Sequence, residues 1–215
     1  MKAIIHTLVM SLATFIAAHS QTQFDTGMQQ AFELWQQGET SQAANLFERI
    51  GRAEEQEWLP FYYAAQIQIV ESFEMTDRAQ KEEQLKKAQG LLNDAKAIAG
   101  NDDVELKVLQ AMLHTSYITL DPSMYGMKLS PVITNLYATA ASEAPENPRV
   151  ALSRTEWNIG SANFFGEDPA KFCPDLEAAL LLFQDEEPDE AYAPRWGKDR
   201  TLGLIAQICE KKSNE

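Results

Sequence analysis

Side-chain catalysis needs a nucleophile, an acid and a base within reach of one another, and this chain has few such groups. Its histidines are His6, His19 and His114, and its cysteines are Cys173 and Cys209. Once residues 1–20 are removed, His114 is the last histidine left. Paired-histidine metal sites are then excluded, and a serine triad would have His114 as its one available base. His114 follows Val108-Leu109-Gln110-Ala111-Met112-Leu113 in a helical apolar pattern, and reads as a packed structural residue. Two cysteines cannot complete the usual four-ligand zinc framework. The sequence holds no Gly-rich phosphate loop and no Gly-x-Ser-x-Gly elbow.

The carboxylates come in clusters: Glu54, Glu55 and Glu57; Asp102-Asp103; and the run from Asp185 to Glu190. None has the Asp-x-Asp-x-Asp-Gly spacing of a calcium loop. They read as helix caps and solvated loops, with a carboxylate-based enzyme as a second alternative because paired acids can serve as general acid and base. No metal, cofactor or enzymatic activity is expected.

The balance of 18 Lys+Arg against 32 Asp+Glu argues against a nucleic-acid partner and an anionic membrane surface, both of which require basic stripes. The chain opens Met1-Lys2, is apolar from Ala3 to Ala18, and reaches Ala18-His19-Ser20 before Gln21. A basic start, a short apolar core and small residues at the cleavage positions predict a signal peptide over residues 1–20. Cleavage removes one Lys and no acid, leaving 17 bases against 32 acids and a net charge of −15. Retention as an anchor is the alternative, although the apolar run is short for a spanning helix. After cleavage the remainder, 21–215, is expected to be one domain without stable membrane insertion, in the periplasm or secreted.

Beyond Phe24 apolar residues recur at helical spacing, and no stretch alternates long enough to be a strand. Helices are predicted at 25–37, 39–53, 57–75, 79–99, 103–120, 129–143, 148–163, 169–184 and 196–212, which makes four pairs and a terminal helix. Asp121-Pro122 and Ser130-Pro131 bracket an expected long turn. In the first pair, Ala31, Leu34, Gly38, Ala43, Phe47 and Ile50 fall at small, large, turn, small, aromatic and closing positions. Small residues let antiparallel helices approach closely, and Gly38 lets the chain turn between them. Ala88, Leu92 and Ala95 repeat part of that spacing, as do Ile133, Tyr137 and Ala140.

These spacings resemble tetratricopeptide repeats. Pro145-Glu146-Asn147-Pro148-Arg149-Val150, Phe164-Phe165-Gly166 and Pro194-Arg195-Trp196-Gly197-Lys198-Asp199 are similar to landmarks of exported bacterial tetratricopeptide-like proteins, whose architecture also occurs in the periplasmic T component of TRAP transporters. Gly166-Glu167-Asp168 departs from the glycine-rich turn usual there. The resemblance implies an all-α, right-handed superhelical array of antiparallel helix pairs, an irregular solenoid of about four pairs plus a terminal helix. It also implies a noncatalytic binding or scaffold protein, and leaves the ligand open.

In such an array the first helix of each pair lines the concave face. That phase places Met28, Phe32 and Trp35 at one end of a groove and Arg149, Leu152, Glu156 and Ile159 at the other. Apolar anchors at one end and an Arg-Glu pair at the other suit a protein or peptide partner. A periplasmic small-ligand carrier associated with a transport system is the alternative. Cys173 and Cys209 form either a disulfide, which an oxidising compartment permits, or two separate buried thiols.

Overall fold

The computed structural model describes residues 23–186 and 190–210, so the predicted signal peptide lies outside the described residues. The fold is all-α, with no strand among the described residues. Helix α1 covers 23–36, and the chain reverses at Gly38, whose φ of 82° is left-handed. There Gly38 N–H donates to the Trp35 carbonyl and Glu39 N–H to the Leu34 carbonyl, closing the helix end. Helix α2 spans Thr40–Ala53 and buries Ala43, Ala44, Phe47 and Ile50. A Cβ on Gly51 would lie 2.8 Å from the Phe61 ring, so the glycine allows α2 to meet α3 closely.

Helix α3, Leu59–Ser72, is buried along almost its whole length, from Leu59 to Ile69 without a break. Being apolar on every side, it must be surrounded, and α2, α4 and α5 all pack against it. Helices α4 (Arg78–Ala99), α5 (Val104–Leu120), α6 (Pro122–Glu143) and α7 (Pro148–Phe165) start at Asp77, Asp103, Asp121 and Asn147. Each of these caps accepts hydrogen bonds from first-turn N–H groups that have no partner within the helix. A short 3-10 turn, Pro169–Phe172, leads into α8, Cys173–Asp185. Helix α9, Lys198–Leu204, runs into a π turn, Ile205–Cys209.

Packing is dominated by neighbours in sequence, above all α5 with α6, α3 with α4 and α2 with α3. A second line of contact joins α3 to α5 and α5 to α7. The main core, drawn from α1 to α5, includes Met28, Phe47, Tyr62, Leu85 and Leu109. A separate cluster of Leu152, Ile159, Leu176, Ala179, Phe183 and Leu204 seals α7, α8 and α9.

Two local expectations change. No long turn separates Asp121 from Pro131, because Asp121 caps Met124 and Pro122 takes the first helical position, so α6 starts there. Pro131 is accommodated inside α6 on its exposed side, and Ser130 Oγ donates to the Gly126 carbonyl 2.7 Å away. The terminal helix starts later than the expected residue 196, since Gly197, at φ 116°, holds the chain out of helical conformation until Lys198.

Candidate functional site

The residues expected to line one open groove are largely enclosed. Met28 and Leu152 are wholly buried, and Ile159 is buried in the α7–α9 cluster. Arg149 is buried as well, between two carboxylates. Its Nε donates to Glu105 Oε1 at 2.8 Å, and its Nη1 lies 2.6 Å from Glu186 Oε1 in an ion contact that is not aligned as a hydrogen bond. Glu156 is half-buried and accepts from Arg200 Nε at 2.7 Å. These four α7 positions serve helix packing and charge pairing. The physical reason is that α7 has α5 on one side and α8 on the other, so its apolar positions face neighbours on both.

Phe32 and Trp35 remain half-buried. They belong to an aromatic cradle built by α1, α2 and α3. Phe32 meets Tyr63 edge to face at 4.7 Å and Phe47 at 5.1 Å, while Trp35 lies nearly parallel to Phe32 at 6.5 Å. The outer side of this cradle is covered by the chain's own segment Glu190–Trp196. The Tyr192 ring stacks on Phe32 with centroids 6.1 Å apart and planes 13° from parallel, and meets Phe24 edge-on at 5.8 Å. Tyr192 Oη donates to Asp25 Oδ1 at 3.1 Å, and Tyr63 Oη donates to the Tyr192 carbonyl at 2.7 Å. Aromatic rings in such offset and edge arrangements attract beyond simple area burial.

The segment is anchored at its far end by Trp196. Its Nε1 donates to Tyr62 Oη at 2.7 Å, Tyr62 Oη donates to Glu105 Oε2 at 3.2 Å, and Asn147 Nδ2 donates to Glu105 Oε1 at 2.7 Å. The Trp196 ring packs against three apolar clusters at once. One polar chain thus connects the cradle helix α3, the start of α7 and the covering segment. Burial, then the nearby Glu105 carboxylate, pushes the Tyr62 phenol well above its ordinary pKa, so it stays a neutral donor. Burial acts to lower Arg149, but Glu105 and Glu186 outweigh it and hold the guanidinium above its usual value.

Other features fit a binding site less well. A half-open recess of about 360 Å³ lies between the start of α7 and the end of α8, lined by Glu146, Asn147, Pro148, Leu182, Asp185 and Glu186. Its carboxylates would repel an anionic ligand, and among the described residues no group of three or more His, Cys, Asp or Glu side chains is placed to hold a metal ion. Exposed apolar side chains are spread over several helices, among them Val70 on α3, Met124, Met127 and Val132 on α6, Phe164 and Phe165 at the end of α7, and Leu181 on α8. His114 packs beside Gln110, and burial followed by Lys96 lowers its pKa. Cys173 and Cys209 are joined by a disulfide. Within the described residues no helix is long and apolar enough to cross a membrane.

Sequence reasoning missed Tyr63, Tyr192 and the Glu105 network. Pro60-Phe61-Tyr62-Tyr63 offered the density of aromatics as a signal. The short Ala191-Tyr192-Ala193-Pro194 stretch offered no periodicity by which to find it.

The described residues form an all-helical fold with an aromatic cluster between α1, α2, α3 and the segment Glu190–Trp196. A solved structure with a similar fold is the HusA haemophore from Porphyromonas gingivalis, which is 21% identical, aligns over 87% of this chain and 92% of that chain, and has a TM-score of 0.73. No family model and no curated protein matches the chain.

Proposed function

We propose that this protein is an exported, noncatalytic carrier that binds a planar apolar ligand of the haem class. The observation that carries the reading is the likeness to a haemophore along nearly the full length of both chains. The aromatic cradle supports it, because stacked rings offer a flat ligand large contact area at small entropic cost. The signal-peptide pattern of residues 1–20 supports export. The order of helix pairs supports a tetratricopeptide-like array, in which the odd-numbered helices form the inner layer. Hemin titrated into the chain beginning at Gln21 tests the reading. A saturable shift of the Soret band, resisting transfer to a weak competitor, is the expected result; hemin that remains wholly free overturns it.

A second reading, capture of an extended peptide, is favoured by one observation. The cradle already holds such a segment in cis, with Tyr192 and Trp196 as its anchors. Tight binding of an aromatic-rich peptide with no response to hemin would favour it.

A further inference from the structure

The Glu190–Trp196 segment differs from the rest of the fold in how it is held. Tyr192 is the one non-glycine with a left-handed backbone among the described residues, at φ 62°, a region that costs an L side chain energy through its Cβ. The ring is half-buried although it stacks on Phe32 and bonds Asp25, so it covers the cradle without being enclosed by it. Beyond it the chain is pinned: Pro194 is buried, Trp196 is bonded to Tyr62, and Gly197 has no room for a side chain, its Cβ position lying 2.4 Å from Phe183 Cζ. The fixed point is therefore on the C-terminal side of Tyr192, and the strained, half-exposed residue sits ahead of it.

We infer that the cradle of Phe24, Phe32, Trp35 and Tyr63 is a ligand site occupied in cis by Tyr192, and that a flat conjugated ligand enters by exchanging with that ring. The inference rests on the carrier reading above and locates its site. The Trp35 and Tyr192 rings each lie nearly parallel to Phe32, with planes 16° and 13° from it. The place Tyr192 fills is thus faced by the Phe32 plane, an arrangement suited to the edge of a flat conjugated ring. When Tyr192 leaves, Tyr63 Oη gives up the Tyr192 carbonyl and becomes a free donor at the slot, suited to an acceptor group on the ligand. The cis contact lowers apparent affinity by the fraction of molecules whose cradle is closed. It also keeps an apolar surface covered when no ligand is present.

Hemin titration of the parent and three variants tests this. Tyr192→Gly empties the slot while suiting the left-handed backbone, and is expected to tighten hemin binding about tenfold. Tyr192→Phe keeps the ring and loses the bond to Asp25, and is expected to tighten binding by a smaller factor. It also serves as the test if the glycine variant does not fold. Met127→Ala, at the exposed end of α6, is expected to bind as the parent does. Equal or weaker hemin binding by both Tyr192 variants overturns the exchange while leaving the carrier reading standing. Loss of binding in Met127→Ala alone overturns it too, by moving the site to α6. Absence of hemin binding in every protein overturns the carrier reading itself, and the inference with it.

Discussion

Arg149 lies between two carboxylates where little water reaches, and that setting makes the group costly to disturb. A buried pair contributes little beyond an apolar substitute of equal volume, yet removing one partner leaves the other charge without compensation. Arg149→Met leaves Glu105 with the Tyr62 and Asn147 hydrogen bonds but without its cation. It should lower stability by about 3–5 kcal/mol in urea unfolding at neutral pH. Adding Glu105→Gln to the same chain should restore much of the loss; if it does not, packing and not charge is responsible. His114 gives a pH-dependent case. Burial, then Lys96, sets its folded pKa below the unfolded value of 6.5, so folding favours the neutral ring. The unfolded chain binds the proton more readily, so this contribution is complete above pH 6.5 and is lost as pH falls toward the folded value. The melting temperature of the parent should therefore fall more steeply between pH 7 and pH 5 than that of His114→Gln. Parallel curves would remove His114 from the account.

Helix identity was legible in the sequence because it rests on local signals repeated many times. Asp77, Asp103 and Asn147 cap helices where apolar periodicity begins, and Gly38, Gly100 and Gly166 adopt positive φ where it ends. The same signals misled at α6, where two Pro residues suggested a loop although one opens the helix and the other lies on its exposed side. The groove was harder to read for a different reason. Periodicity tells which face of α1 or α7 is apolar, but not which part of the chain comes to cover it. Met28 and Leu152 therefore went to the core, and Tyr192, 160 residues from Phe32, was invisible to any local pattern. Glycines test this distinction between local and tertiary demand. Gly90, exposed within α4, has open space where a Cβ would go, and Gly90→Ala should stabilise by about 0.5–1 kcal/mol through helix propensity. Gly197→Ala meets Phe183 and Leu152 at a left-handed backbone and should destabilise by about 2 kcal/mol or more. Thermal melts of both variants should move in opposite directions. A shared direction would mean that the turn before α9 repacks freely.

Across the whole molecule, the chain beyond α7 is held in three ways of different reach. α8 packs on α7, Trp196 packs between three apolar clusters, and the Cys173–Cys209 bond links the start of α8 to the π turn after α9, a sequence separation of 36 residues. The loop so closed contains α8, the segment over the cradle and α9. Opening it returns freedom to that stretch in the unfolded chain, and in the chain-entropy account the loss is about 3–4 kcal/mol. The loss should not be spread evenly. Helix α3, enclosed by α2, α4 and α5, does not depend on the bond, whereas α9 is short and the Glu190–Trp196 segment is held mainly by side chains. Hydrogen exchange on Cys173→Ser/Cys209→Ser should therefore show faster exchange over residues 190–210 with α3 and α4 nearly unchanged, and the fluorescence of Trp196 should become more solvent-exposed. Iodoacetamide should label no thiol in the folded, unreduced parent. Two reactive thiols in that protein, or uniform loss of protection reaching α3 in the variant, would mean that the C-terminal region is not held as a separate, disulfide-closed layer over the cradle.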